Sequence, residues 1–172
     1  MPDVTLAQVV ASDGPALIAA NLASRSLHHP WAHPCTDQPA FDSWIAGVQT
    51  PATRAFIARA AAGEITGAIT FSQIAFGNFC SAYLGFYAMA AFAGQGYMKA
   101  ALLLAIAHAF GPLGLHRLEA NIQPENTRSI ALIRGLGFSR EGFSPAYLRI
   151  GGAWRDHERW ALIKPDETDF PA

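Results

Sequence analysis

Ala82-Tyr83-Leu84-Gly85-Phe86-Tyr87-Ala88-Met89, Ala93-Gly94-Gln95-Gly96, and then Tyr97-Met98-Lys99 running on to Phe110 is the stretch that decides the fold. Its first part has the aromatic-rich character of a strand. Its last part changes period: Met98, Ala101, Leu102, Ala105, Ile106 and Phe110 fall on one face of a helix that Gly111-Pro112 ends. A strand, a glycine turn and a helix therefore follow one another. The glycine turn opens the helix, where backbone N–H groups lack partners and the helix dipole is positive, so the local chemistry suits a phosphate. The same spelling also serves as a plain tight turn. Without a Gly-Lys-Ser/Thr ending it is not a P-loop, and Lys99 stands where a dinucleotide fingerprint needs its third glycine.

Working outward, His116–Gln123 reads as the next strand, and Pro124 introduces a helix from about Asn126 to Leu136 that stops at Gly137. Upstream, Val4–Val10 alternates as a strand, and Ser12 or Asp13 is placed to cap a helix reaching Ser26, with Pro15 in its first turn. Asp37 or Gln38 to Val48 forms a second helix. Arg54–Ala60 and Ile65–Phe76 are two strands joined at Ala62-Gly63-Glu64, and Phe138–Ile163 holds two more joined at Gly151-Gly152. Hairpins at both ends around a strand–helix–strand centre predict an α/β fold with a mixed sheet and helices on both faces. Neither repeats nor a Gly/Ser linker divide the 172 residues, so one domain over residues 1–172 is expected.

The surface is charge-poor. Charged residues make up 15%, against an average near ~25%. With 12 Lys and Arg against 13 Asp and Glu, the formal charge of -1 provides no basic field for nucleic acid. The opening MPDVTLAQVV has no basic segment ahead of an apolar one, and no apolar run reaches the ~20 residues of a spanning helix. A cytoplasmic protein without membrane contact is expected. Cys35 and Cys80 lack any C-x-x-C spacing and read as reduced thiols.

Taken together and in order, AYLGFYAM, AGQGYM, GLHRLEA, PENTRS, LGF and GGAWRDH resemble the GNAT acyl-CoA N-acetyltransferases, with the ribosomal-protein-alanine branch the nearest likeness. The resemblance runs from about Ile65 to Ile163, and weakly upstream through His29-Pro30-Trp31. It implies the GNAT fold, a mostly antiparallel mixed sheet of six to seven strands. It also implies acetyl-CoA as co-substrate, no metal, and an amine acceptor, most naturally a protein N-terminal α-amine; a homodimer stays open. The implied cofactor contacts are Tyr87, Ala88 and Met89 on the strand, Gly94, Gln95, Gly96, Tyr97, Met98 and Lys99 on the turn, and Asn126 and Ser129 beyond. An amide of Ala88 or Met89 would face the thioester oxygen as it gains charge. Ala93 replaces the usual Gln or Arg of the loop. Ile133 occupies the place of a tyrosine proton donor common in the superfamily, which leaves Ser129 or water for that role.

The residues by themselves leave several readings open. Asn126 is equally well placed as a helix N-cap. Glu119 and Asp156 are candidate bases, with Glu119 also able to pair with Arg117; His116 and His157 read as strand-end or loop histidines. His28, His29, His33 and Cys35 are zinc-ligand types, but Pro30 and Pro34 interrupt them and no second pair follows. Trp31 suits the substrate end or the core, and Trp154 and Trp160 suit sheet packing. Besides protein acetylation, an acetyltransferase of small amines and a non-catalytic acetyl-CoA-binding module both remain possible readings.

Overall fold

The computed structural model describes residues 1–165; residues 166–172 of the expected domain lie outside them. Seven strands form one sheet in the order β1-β2-β3-β4-β5-β7-β6. They are β1 (Val4–Gln8), β2 (Arg54–Ala60), β3 (Ile65–Ala75), β4 (Ser81–Ala88), β5 (Arg117–Ile122), β6 (Ser139–Ile150) and β7 (Ala153–Ile163). Every neighbouring pair is antiparallel except β4–β5, which the crossover helix α4 (Tyr97–Phe110) makes parallel. The expected strands and hairpins are all present.

Helices cover both faces. On one, Met98, Ala101, Leu102 and Ala105 of α4 and Ile133 of α5 (Thr127–Arg134) pack against Ile69, Phe71, Leu84, Leu118, Ala120 and Trp160. On the other, Leu17 of α1 (Gly14–Ala23) and Phe41 of α3 (Gln38–Val48) pack against Ala55, Ile57 and Ala68. The alternation of β2 and β3 residues between these two cores is what fixes their register.

Two local expectations change. Asp13 does not bond the α1 amides; its carboxylate accepts from the Val10 amide at 2.8 Å and from Arg59 at 2.6 Å, tying the start of α1 to β2. The helix expected to reach Ser26 breaks at Ser24, and a short turn of helix, α2 (Arg25–His28), follows. Ser24 is buried and its Oγ accepts from the Ala90 amide at 2.9 Å, tying the break to a residue 66 positions away. At α3, Asp37 is the cap, accepting from the Ala40 amide at 2.8 Å.

The feature that positions the site is a gap in the sheet. β4 and β5 pair only over Ser81–Tyr83 with Arg117–Glu119, although β4 continues to Ala88 and β5 to Ile122. Beyond Tyr83 and Glu119 the two strands no longer share a ladder, and their backbone groups are available to something else.

Candidate active site

The opening between β4 and β5 widens into a groove of about 1310 Å³. One end is built on the turn before α4, where Ala93, Gly94, Gly96, Met98 and Lys99 line it. Gly94 and Gly96 have φ of 76° and 85°, the left-handed region that glycine enters without steric cost. α4 begins at Gly96 with no side-chain cap, and among the described residues the amides of Gly94, Gly96, Tyr97, Met98 and Lys99 donate to no protein group. Five free donors at the positive end of a 14-residue helix form an anion cradle. Gln95 is different: its amide bonds the Phe92 carbonyl at 3.3 Å, its side chain bonds the Ala91 carbonyl, and it lies outside the groove lining. The Tyr97 ring also turns away, edge-on to Phe92.

Along β4, Leu84 to Ala88 line the groove. The Met89 amide donates to the Thr66 carbonyl at 2.9 Å, and Met89 is 2% exposed with its sulfur against Ser24. Met89 is therefore spent on packing and cannot supply the amide expected of it. Antiparallel ladders alternate, so with Met89 bonded to β3 the preceding residue, opposite Gly67, turns its amide the other way. Ala88 thus presents its N–H away from β3, toward the gap. Its carbonyl accepts from His28 Nε2 at 2.9 Å, and the His28 ring stands edge-on to Tyr87. Burial pushes the His28 pKa down and burial also pushes the Tyr87 hydroxyl up, so both are neutral near pH 7.

On the opposite wall, Asn121 to Gln123 of the β5 end, then Glu125 to Ser129 and Ala131 and Leu132 of α5, complete the lining. Asn126 has two roles open to it at once. Its Oδ1 accepts from the Ser129 amide at 3.2 Å as the cap of α5, and the residue also lines the groove. Asn121 Oδ1 is buried without a hydrogen-bond partner. Ile133, which the resemblance sets at the place of a tyrosine, is 0% exposed in the core with α4 and outside the groove lining.

The far end is made by Ser26, Leu27, His29, Trp31 and Ala32 around α2, and by Leu148, Ile150 and His157 from the last hairpin. Glu119 is not among the lining residues: it accepts from Arg117 Nε at 2.8 Å, and Arg117 also binds Glu141 in a bidentate pair that holds the Glu141 carboxyl below its usual range. Asp156 is exposed and accepts from the Ala146 amide at 2.7 Å, fixing the irregular pairing of β6 between Ser144 and Leu148. Both candidate carboxylates therefore have structural partners. The neighbouring Tyr147 hydroxyl, with burial, pushes the Tyr83 pKa up to about 12. No cluster of three or more His, Cys, Asp or Glu able to hold a metal occurs among the described residues. His28 faces Ala88, His33 lies against Gly151, and Cys35 meets Asn21.

His157 and Asn121 were not legible as site residues. Their alternation with Arg159 and Glu119 marks a sheet face, but only the helix-free part of that face makes them line a groove.

Residues 3–139 match the family described as acetyltransferase (GNAT) domain. The chain belongs to the GNAT acetyltransferase family. It is 42% identical over 105 residues to the [ribosomal protein uS5]-alanine N-acetyltransferase of Escherichia coli, a match covering 61% of this chain and 54% of that protein. A probable N-acetyltransferase of Bacillus subtilis, YjcK, is 34% identical over 104 residues, covering 60% of this chain and 58% of its own. The chain thus spans little more than half the length of the curated relatives it matches. Among solved structures, Mycobacterium smegmatis RimJ in complex with CoA-disulfide superimposes with a TM-score of 0.86 at 29% identity, over 98% of this chain and 84% of that one. The spermidine N-acetyltransferase of Vibrio cholerae in complex with CoA and spermine shares the GNAT fold, with a TM-score of 0.79 at 20% identity over 93% and 95% of the two chains. None of the described helices of this GNAT chain is long and apolar enough to cross a membrane.

Proposed function

We propose that the chain transfers the acetyl group of acetyl-CoA directly to the N-terminal α-amine of a protein. The observation that carries the acceptor class is the groove lining, in which Glu125 is the single carboxylate among the described residues. A polyamine with several ammonium groups gains most from acidic partners, and this lining gives it one, on the loop that opens α5. A peptide N-terminus brings one amine and an otherwise neutral backbone. The apolar far end, with Leu27, Trp31, Leu148 and Ile150, suits a small first side chain and the peptide behind it.

The groove fits acetyl-CoA on three counts. The free amides from Gly94 to Lys99 suit the pyrophosphate. The opened β4 edge suits the amide-bearing pantetheine arm, and the orphaned Asn121 Oδ1 has a buried acceptor to offer an N–H. When bound, acetyl-CoA supplies an activated acyl thioester. The Ala88 amide then suits the carbonyl oxygen as negative charge develops on it. Ser129, at the start of α5 beside the Asn126 cap, lines the groove, and its hydroxyl suits a hydrogen bond to the departing sulfur, which takes its proton from water. Use of acetyl-CoA and two free thiols favour the cytoplasm as the place of action.

The likeness to RimJ and to the uS5-alanine N-acetyltransferase supports the same reading. The test is acetyl-CoA with peptides beginning Ala or Ser, one internal lysine included, against spermidine. Acetyl on the first residue by mass spectrometry, with the lysine and spermidine turned over far more slowly, is expected; spermidine as the better acceptor by kcat/KM overturns the reading.

A further inference from the structure

We infer that His157 is the proton acceptor of the transfer, an inference that rests on the acetyltransferase reading above. His157 is 3% exposed yet lines the groove, so what it shows of itself borders that space through a small window. Its Nδ1 lies 3.0 Å from the Arg155 carbonyl. A carbonyl only accepts, so that bond fixes the proton on Nδ1 and leaves Nε2 with its lone pair free. The ring is held in the basic tautomer, with Tyr147 edge-on to it at 6.1 Å.

The position is determined by the sheet. β5 and β7 pair with Asn121 opposite Arg159 and Ile122 opposite Glu158, so the next step puts His157 level with Gln123, just past the end of β5. Asn121, with its orphaned Oδ1, is its diagonal neighbour on the same face. Two acceptors thus share one face at the end of the opened sheet, while Glu119 and Asp156 are taken by Arg117 and Ala146.

In the step assigned to it, the neutral amine's lone pair forms the N–C bond to the thioester carbonyl carbon. The C–S bond breaks with its electron pair leaving on sulfur. The proton lost from nitrogen passes to His157 Nε2, and the imidazolium then releases it to solvent.

The experiment compares the full chain with H157Q and H157A, using an Ala-initiated peptide and acetyl-CoA. H157Q is expected to lower kcat by roughly 100-fold or more, the usual range for a lost general base, with the acetyl-CoA Kd and the melting temperature held. Imidazole added to H157A is expected to restore part of the rate, which a packing role would not allow. If H157Q keeps kcat within about three-fold, or if folded H157A is not rescued by imidazole, His157 is not the base. A wild-type chain that releases no CoA thiol with any amine overturns the acetyltransferase reading instead, and this inference with it.

Discussion

The two ends of the groove are built from different materials. At the α4 end the groups that matter are backbone amides, set by the positive φ of Gly94 and Gly96 and by the first turn of one helix, all within seven residues from Ala93 to Lys99. At the far end they are side chains, with His28, His29 and Trp31 from α2 and its following loop and Leu148, Ile150 and His157 from the β6–β7 hairpin more than a hundred residues on. A backbone-built site tolerates a change of side chain and fails when the chain path changes. A side-chain-built site does the opposite, so on the proposed function a backbone-built cofactor end can be kept while the acceptor end varies.

The largest test of that contrast is Gly96→Val. A β-branched residue at φ of 85° costs ~1–3 kcal/mol in strain, and rotating the turn loses amide contacts to an anion that contribute ~1.5–3 kcal/mol each. Acetyl-CoA binding is expected to weaken by roughly 10- to 1,000-fold by calorimetry, with a lowered but cooperative melt. Unchanged affinity in a folded variant would remove the phosphate role from this turn. Trp31→Ala addresses the other end. Losing part of an aromatic wall, about 1–2 kcal/mol, should raise the KM for peptide by roughly 5- to 30-fold and leave the acetyl-CoA Kd alone. If the acetyl-CoA Kd moved equally, the two ends would not be separable.

Asn126 sits at the junction, so two substitutions separate its roles. Asn126→Ala should cost about 1 kcal/mol of stability through the lost cap of α5. Asn126→Asp keeps the cap and adds charge to the groove. It should hold the melting temperature and raise the KM for acetyl-CoA several-fold; stable variants with unchanged kinetics would leave Asn126 a cap only.

The smallest effect belongs to His28. Burial lowers its folded pKa below the unfolded value of 6.5, so below pH ~6.5 the unfolded chain binds a proton that the folded one does not. Its contribution is therefore fully present above that pH and is lost as pH falls toward the folded pKa. His28→Gln should flatten the decline in melting temperature as pH falls below about 6.5; an unaltered slope assigns the decline to other groups.

The parts of the molecule governed by near neighbours were readable in advance. The change of period at Tyr97, the glycine turn before α4, the Gly151-Gly152 hairpin and the start of α3 near Asp37 each depend on a few adjacent residues, and the sequence determined them. The break of α1 at Ser24 accompanies a contact with Ala90, and the Met89 amide is used by Thr66; both partners lie far along the chain and leave no local signal. Glu119 admits two readings in the sequence, and Arg117, which reaches both it and Glu141, decides between them. Tertiary structure alone decided the splitting of β4 from β5 after Tyr83, because strand pairing joins segments whose separation in sequence carries no local signal. It likewise decided which of several polar residues on one sheet face stayed free of helices. A histidine at the end of a strand reads the same in the sequence whether a helix covers it or a groove opens beside it, and at His157 the groove opens.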